Sequence, residues 1–221
     1  GNGPELLHFS LNGIHFFADT KGQKTCFFLD QRDNSENLSK YANGRNVLDV
    51  FSYTGNFSFH CLSQGANRAT LVDSSERALS VARETAEING FISRCEFVRA
   101  NAFDYLREES LAGHSLVIVD PPAMAKSPSS KKSALRGYKE LNLRVIKKAV
   151  NGSLLASSSC TQIISEDDWM RTINDAFHDS KKVGIVSFRG GQPLDHPEVS
   201  SIFETRYLKF CLFRVFELCD F

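Results

Sequence analysis

The 221-residue chain is predicted to fold as an α/β domain with a mostly parallel sheet and an antiparallel edge. Three observations predict this class. Apolar β-type runs alternate with helical patterns from Asn46 to Ser158, the order that builds a parallel sheet. The run Ser115 to Val119 is apolar without alternation, as in a strand buried on both faces. The last two strand patterns, Lys182 to Phe188 and Tyr207 to Glu217, have no helix between them, so they form a hairpin at the sheet edge.

The elements follow in order. Gly1 to Pro4 reads as an added remnant or a flexible lead-in. Leu6 to Phe28 holds two or three short strands, with Asn12-Gly13 as the hairpin turn between LLHFSL and IHFFAD. Asp30 to Ala42 is predicted helical, capped by Asp30 and stopped at Asn43-Gly44. Residues 1–44 thus form an N-terminal β element with a leading helix, and 45–221 the main domain. Ser75 to Asn89 is a helix stopped by Gly90, and Cys95 to Arg99 a strand. Ser127 to Ser133 is small and polar and reads as a loop. Tyr138 to Val150 is a helix, Ser153 to Ser158 a strand, and Ser165 to Phe177 a helix capped by Ser165.

Composition narrows the function classes. Hydrophobic residues make up 42% and charged residues 24%, ordinary for a soluble globular protein, and the length suits one substantial core. No run of eighteen apolar residues and no signal-peptide pattern occurs, so a cytoplasmic enzyme with no membrane partner is expected. Cys26, Cys61, Cys95, Cys160, Cys211 and Cys219 lack C-x-x-C or Cys/His metal spacing; neither a disulfide framework nor a metal site is expected. Net charge is zero, yet Lys126 to Lys148 holds eight basic residues against one acid, Glu140. A local basic surface is what phosphate neutralisation requires.

The centre of the chain is Asn46 to Asp73, a strand, a tight turn, a helix and a second strand ending on an acid. An acid about twenty residues past such a turn can accept hydrogen bonds from a ribose, although a solvated strand-end carboxylate is as natural a reading of Asp73. Gly55 is the only glycine in the turn, whereas a pyrophosphate needs G-x-G-x-x-G. A nucleoside cofactor without phosphate, such as S-adenosylmethionine, fits better. Asn101-Ala102-Phe103, at the carboxyl end of the next strand, lies where an open α/β sheet binds ligand, with Asn101 suited to an adenine.

The ordered set Gln23-Lys24-Thr25-Cys26-Phe27-Phe28-Leu29-Asp30-Gln31-Arg32, Phe51-Ser52-Tyr53-Thr54-Gly55, Asp120-Pro121-Pro122, Arg136-Gly137-Tyr138-Lys139, Asp195-His196-Pro197 and Tyr207-Leu208-Lys209 resembles the class I S-adenosylmethionine-dependent methyltransferases that act on cytosine C5 in bacterial large-subunit ribosomal RNA. The resemblance runs from about Phe9 to Val215. It implies a Rossmann-like fold with a seven-stranded sheet. It also implies a cofactor site of Gln31, Arg32, Phe51, Ser52, Tyr53, Thr54, Gly55, Asp73, Ser74, Asn101, Ala102 and Asp120, with Asp120 facing the target base. Lys126, Lys131, Lys132, Arg136 and Lys139 are expected to hold RNA backbone; a homodimer is left open.

Two departures qualify the resemblance. The family usually carries an N-terminal RNA-binding PUA domain, which nothing before Leu6 could form; either it has been removed or this is a short form that recognises RNA differently. The family's nucleophilic cysteine lies in a Ser-Cys-Ser element, and ungapped alignment from Leu154-Leu155 puts Ser159 at that position, one residue before Cys160. Cys160 is taken as the nucleophile, because it is the cysteine at the carboxyl end of a central strand; the other five are expected in the core. Methylation of a nitrogen, or an RNA-binding role without turnover, are the alternatives. Ala123 after Asp-Pro-Pro, where amino-methylating sites place an aromatic ring, argues against the first.

Overall fold

The computed structural model describes residues 5–21 and 26–220. The Gly1–Pro4 lead-in and the Gln23-Lys24-Thr25 part of the first motif lie outside them. Among the described residues nine strands and six α-helices follow one another: β1 Leu6–Leu11, β2 Ile14–Asp19, α1 Arg32–Ser39, β3 Asn46–Val50, α2 Asn56–Ser63, β4 Arg68–Asp73, α3 Glu76–Ile88, β5 Cys95–Arg99, α4 Ala102–Glu108, β6 Leu116–Val119, α5 Lys131–Lys148, β7 Leu154–Ser159, α6 Glu166–Ser180, β8 Lys182–Gly190 and β9 Lys209–Glu217. β1 and β2 form a two-stranded sheet; the other seven form one mixed sheet in the order β5-β4-β3-β6-β7-β9-β8. The predicted α/β class and antiparallel edge are both present.

The chain divides into two compact units, 1–102 and 103–221. In the first, β3 pairs with β4 and β4 with β5, all parallel. Val47, Leu48 and Val50 on β3 and Leu71 and Val72 on β4 are wholly buried, as expected where helices cover both faces. The β1–β2 hairpin turns at Asn12-Gly13, both with positive φ, as an Asn-Gly turn requires. It is fastened to α3: Arg77 donates to the Asp19 carboxylate, and Asn89 exchanges two hydrogen bonds with the backbone of His15. Phe16 packs on Phe27, Phe59 and His60. His60, buried and bonded through Nδ1 to the Asn56 carbonyl, is a core residue.

In the second unit β6 and β7 are parallel, whereas β9 runs antiparallel to both β7 and β8. α6 starts at Ser165, whose Oγ accepts from the Asp168 N–H at 3.2 Å, as its sequence predicts. Trp169 is buried in this helix, consistent with packing. The β8–β9 loop is organised by Gln192, which donates to the His196 and Thr205 carbonyls and accepts from the Tyr207 N–H.

Several boundaries differ from the expectation. α1 starts at Arg32 after a 3-10 turn, Leu29–Gln31, and its cap position, Gln31, makes no side-chain cap bond. Asp30 therefore sits inside the turn. α5 starts at Lys131, seven residues before Tyr138, so the last three residues of the expected Ser127 to Ser133 loop are helix. The Ser127-Pro128 start signals this, and Ser127 and Ser130 form a capping box. Gly137 is inside this helix, where a Cβ would lie 3.1 Å from Met124 Sδ. Of the cysteines expected in the core, Cys61 and Cys211 are buried, Cys26 and Cys95 are half-buried, and Cys219 is exposed, since the last strand ends two residues before it.

Candidate active site

The first unit gathers one set of residues around the turn after β3. Phe51 and Tyr53 have φ of 66° and 48° and Gly55 of 87°. Two non-glycine residues in this left-handed region cost about 1–3 kcal/mol each, so the turn is held by its surroundings. The Phe51 and Ser52 N–H groups both donate to the Val72 carbonyl, and Gly55 N–H to Ser52 O at 2.8 Å. A Cβ on Gly55 would lie 2.4 Å from Phe59 Cε2, so only glycine fits. Below it Asp49, buried in β3, accepts from the Ser58 N–H at 3.2 Å and Oγ at 2.7 Å, tying the start of α2 to the strand.

Asp73 completes the arrangement. Its Oδ2 accepts the Tyr53 N–H at 2.9 Å and its Oδ1 the Ser75 N–H at 2.8 Å. A carboxylate has about four lone-pair sites, so each oxygen keeps one acceptor, a pair matched to the vicinal hydroxyls of a ribose. Ser74 lies between the two contacts. Arg99 pairs with Asp73 in register, and Ala100 N–H donates to the Asp73 main-chain O at 3.1 Å, with Asn101 and Ala102 following in the chain. Tyr53 also reaches the leading segment: its hydroxyl donates to Cys26 O at 3.4 Å and its ring meets Phe28 edge-on. Gln31 and Arg32 follow there. The Gln31 side-chain Oε1 accepts from Asn34 Nδ2 at 2.7 Å, and Arg32 Nε lies 3.1 Å from Asp33 Oδ1.

Two atoms of this site suit a bound polar molecule. Ser52 Oγ and Asn56 Nδ2 are buried with no hydrogen-bond partner among the described residues, a situation native proteins avoid unless a ligand or water completes it. A cleft of about 220 Å³ lined by Thr54, Ser75, Arg77 and Val81, among others, opens beside Tyr53.

The second unit holds another cluster. β6 ends at Val119, and Asp120 accepts a hydrogen bond from Ser158 Oγ on β7. Ser159, the last residue of β7, is 0% exposed and donates to Tyr138 Oη at 3.0 Å. Tyr138 Oη also bonds Thr161 Oγ1 at 2.8 Å, and burial pushes its pKa up. Cys160, between them, is half-buried, with Sγ 3.9 Å from the Pro121 carbonyl. Lys209, opening β9, is 4% exposed and donates through Nζ to Thr161 O at 2.7 Å and Ile164 O at 2.9 Å. Burial lowers its pKa to about 8.

The basic segment is partly neutralised. Lys131 pairs with Asp168 at 2.6 Å and Lys139 with Asp179 at 2.8 Å, while Lys148 Nζ donates to the Leu106, Arg107 and Glu109 carbonyls at the end of α4. Lys126, Lys132 and Arg136 are exposed and make no ion pair among the described residues. Lys132 and Arg136 share one face of α5 at i,i+4 spacing.

Asp49, Tyr138 and Lys209 were not singled out as site residues from the sequence. Asp49 is signalled only as an acid inside the apolar run Val47, Leu48 and Val50, whereas Tyr138 and Lys209 stand in two of the quoted motifs with no role assigned to them.

The strained turn, the carboxylate closing it and the acid-ended β6 define a class I methyltransferase fold. A family model described as S-adenosylmethionine-dependent methyltransferase matches residues 1–211, and the chain belongs to this family. It is 38% identical over 212 residues to the ribosomal RNA large subunit methyltransferase I of Yersinia pseudotuberculosis, covering 93% of this chain and 53% of that protein. With the enzyme of the same name from Aeromonas salmonicida it shares 36% over 202 residues, 90% of this chain and 51% of the relative. The chain thus spans about half the length of the curated relatives it matches. A Streptococcus mutans structure assigned as a SAM-dependent methyltransferase superposes with a TM-score of 0.83 at 24% identity, over 97% of this chain and 56% of that one; it supports the fold alone.

Among the described residues no helix is long and apolar enough to cross a membrane.

Proposed function

We propose that the chain methylates C5 of a cytosine in large-subunit ribosomal RNA, through a covalent adduct between Cys160 and C6 of the base, in the cytoplasm. The observation that carries this reading is the contrast at the end of β7. Ser159 is wholly buried and engaged by Tyr138, whereas Cys160 is half-buried with its sulfur toward the Pro121 carbonyl. The position of the Cys160 sulfur, 3.9 Å from the Pro121 carbonyl of the Asp-Pro-Pro segment, supports Cys160 rather than Ser159 as the nucleophile despite the one-residue shift.

Cytosine C5 is a poor nucleophile. A thiolate adding to C6 pushes an electron pair onto C5, which can then attack an electrophile; loss of the C5 proton lets the electron pair return and expel the thiolate. S-adenosylmethionine supplies a methyl group on a sulfonium when bound. Asp73 holds its ribose, Asn101 its adenine and Gln31 and Arg32 its methionine end; the orphaned Ser52 and Asn56 atoms fit a polar ligand at this turn. Asp120, oriented by Ser158, accepts a hydrogen bond from the cytosine 4-amino group. Lys126, Lys132 and Arg136 neutralise RNA phosphates, with Lys131 and Lys139 contributing once released from their carboxylate partners. The exposed Ala123 offers no ring on which to stack an amino-bearing base.

The test is transfer of labelled methyl from S-adenosylmethionine to unmodified large-subunit rRNA, with nucleoside analysis. The expected product is 5-methylcytidine, lost in Cys160→Ala while cofactor affinity is retained. Label in another nucleoside, or an active Cys160→Ala, would overturn the reading.

A further inference from the structure

We infer that Lys209 is a positioning residue for Cys160: its ammonium group fixes the turn that carries the cysteine and places a positive charge beside the sulfur, so that the thiolate is populated at neutral pH. The inference rests on the reading of Cys160 as nucleophile.

Three observations carry it. Lys209 pairs with Ser159 across the β7–β9 ladder, so its side chain starts level with the residue before Cys160. Its Nζ then donates to the carbonyls of Thr161 and Ile164, the two ends of the turn that Cys160 enters. Among the described residues Lys209 has no carboxylate within ion-pair distance, although it is 4% exposed. A buried ammonium without an anion is costly; two carbonyls satisfy two of its three donors but none of its charge. Two groups act on Lys209 through space, the Cys160 thiol more strongly and the Glu166 carboxylate less; of these, Cys160 stands in the turn that Lys209 holds.

The other charged and titratable groups around the pair work against the thiolate or are already engaged. Glu166 on α6 is paired with Arg189 of β8. Asp120, after β6, is bonded to Ser158. Tyr138 of α5 is kept neutral by burial. Lys209 is therefore the cation whose removal would be felt at the sulfur. As both members titrate, they lose protons as a coupled pair.

The experiment measures the rate of iodoacetamide alkylation of Cys160 in the folded full chain across a pH series, read on the Cys160 peptide by mass spectrometry. The wild-type midpoint is expected below the value of about 8.5 of a free cysteine. Lys209→Met should raise it by about one pH unit or more, and Lys209→Arg should keep it low. A wild-type midpoint at or above that of free cysteine overturns the inference, and this needs no variant to fold. So does a folded Lys209→Met with an unmoved midpoint. An active Cys160→Ala enzyme would remove the proposed function yet leave the alkylation result standing, so the two failures are distinguishable.

Discussion

The turn after β3 and the turn after β7 both follow a buried strand, but they are made of different materials. Phe51 to Gly55 is a backbone device: two non-glycine residues and one glycine at positive φ, with main-chain N–H groups bound by Val72 O, Ser52 O and Asp73. The turn that begins at Cys160 is a side-chain device, in which a hydroxyl pair, Tyr138 and Thr161, and an ammonium, Lys209, hold the main chain. A backbone device fixes shape and tolerates few residues; a side-chain device fixes charge and can be tuned. The first suits a cofactor that must sit in one place, the second a group whose protonation has to change during turnover.

Exchanging neighbours in the second turn is the strongest way to break this comparison. Cys160→Ala is expected to lower methyl transfer on the order of a thousandfold or more, with S-adenosylhomocysteine affinity unchanged by calorimetry. Ser159→Ala, which removes a buried hydroxyl with no path to substrate, should keep most activity and lose stability. Reversed effects would move the chemistry onto Ser159. Next in size is Gly55→Ala, where the added Cβ meets Phe59 and φ of 87° disfavours any side chain. Strain of about 1–3 kcal/mol corresponds to about a five- to 150-fold loss of cofactor affinity, while Cys160 alkylation stays at the wild-type rate. If both fall together, the two devices are not independent.

The contrast also explains what the sequence revealed. Gly55, Asp73, the Asn12-Gly13 hairpin and the Ser165 cap are local signals, because turn chemistry depends on residues a few positions apart. The antiparallel edge followed from the two apolar runs that lacked a helix between them, whereas the strand order is set by long-range pairing. Lys209 and Tyr138 stand in two of the quoted motifs, but nothing local assigns them to the Cys160 turn. Their proximity to Cys160 is set by β7–β9 register and by the packing of α5, contacts between residues 21 to 48 positions apart. α4 was missed because seven residues are too few for a helical period to stand out. The carboxylates that pair with two of the basic residues, Asp168 with Lys131 and Asp179 with Lys139, are remote in sequence and gave no local signal.

A smaller effect sharpens the scaffold side of the comparison. Gly184 on β8 lies under the Phe177 ring, and a Cβ there would be 2.3 Å from its Cζ. Gly184→Ala should cost about 1–3 kcal/mol by overpacking, read as a lower urea midpoint. Neither the cofactor turn nor the Cys160 pH profile should respond; a shifted profile would mean that the side-chain device depends on the β8 edge.

The smallest expected effect concerns the charge of Lys209 itself. Burial lowers its pKa in the folded chain from 10.5 to about 8, so between these values the unfolded state binds more protons than the folded state. Stability then rises with pH across that window. Below pH 8 the folded chain bears the full cost of burying the ammonium, and above 10.5 it bears none. Wild type should therefore gain stability relative to Lys209→Met as pH climbs from 8 to 10.5, the difference cancelling groups common to both. Methyl transfer should move the other way, falling above pH 8 as the cation beside the sulfur is lost, and Lys209→Arg should abolish that alkaline fall. A charge that weakens the fold where it assists the reaction is consistent with a group retained for chemistry; a stability difference flat in pH would assign Lys209 to packing alone.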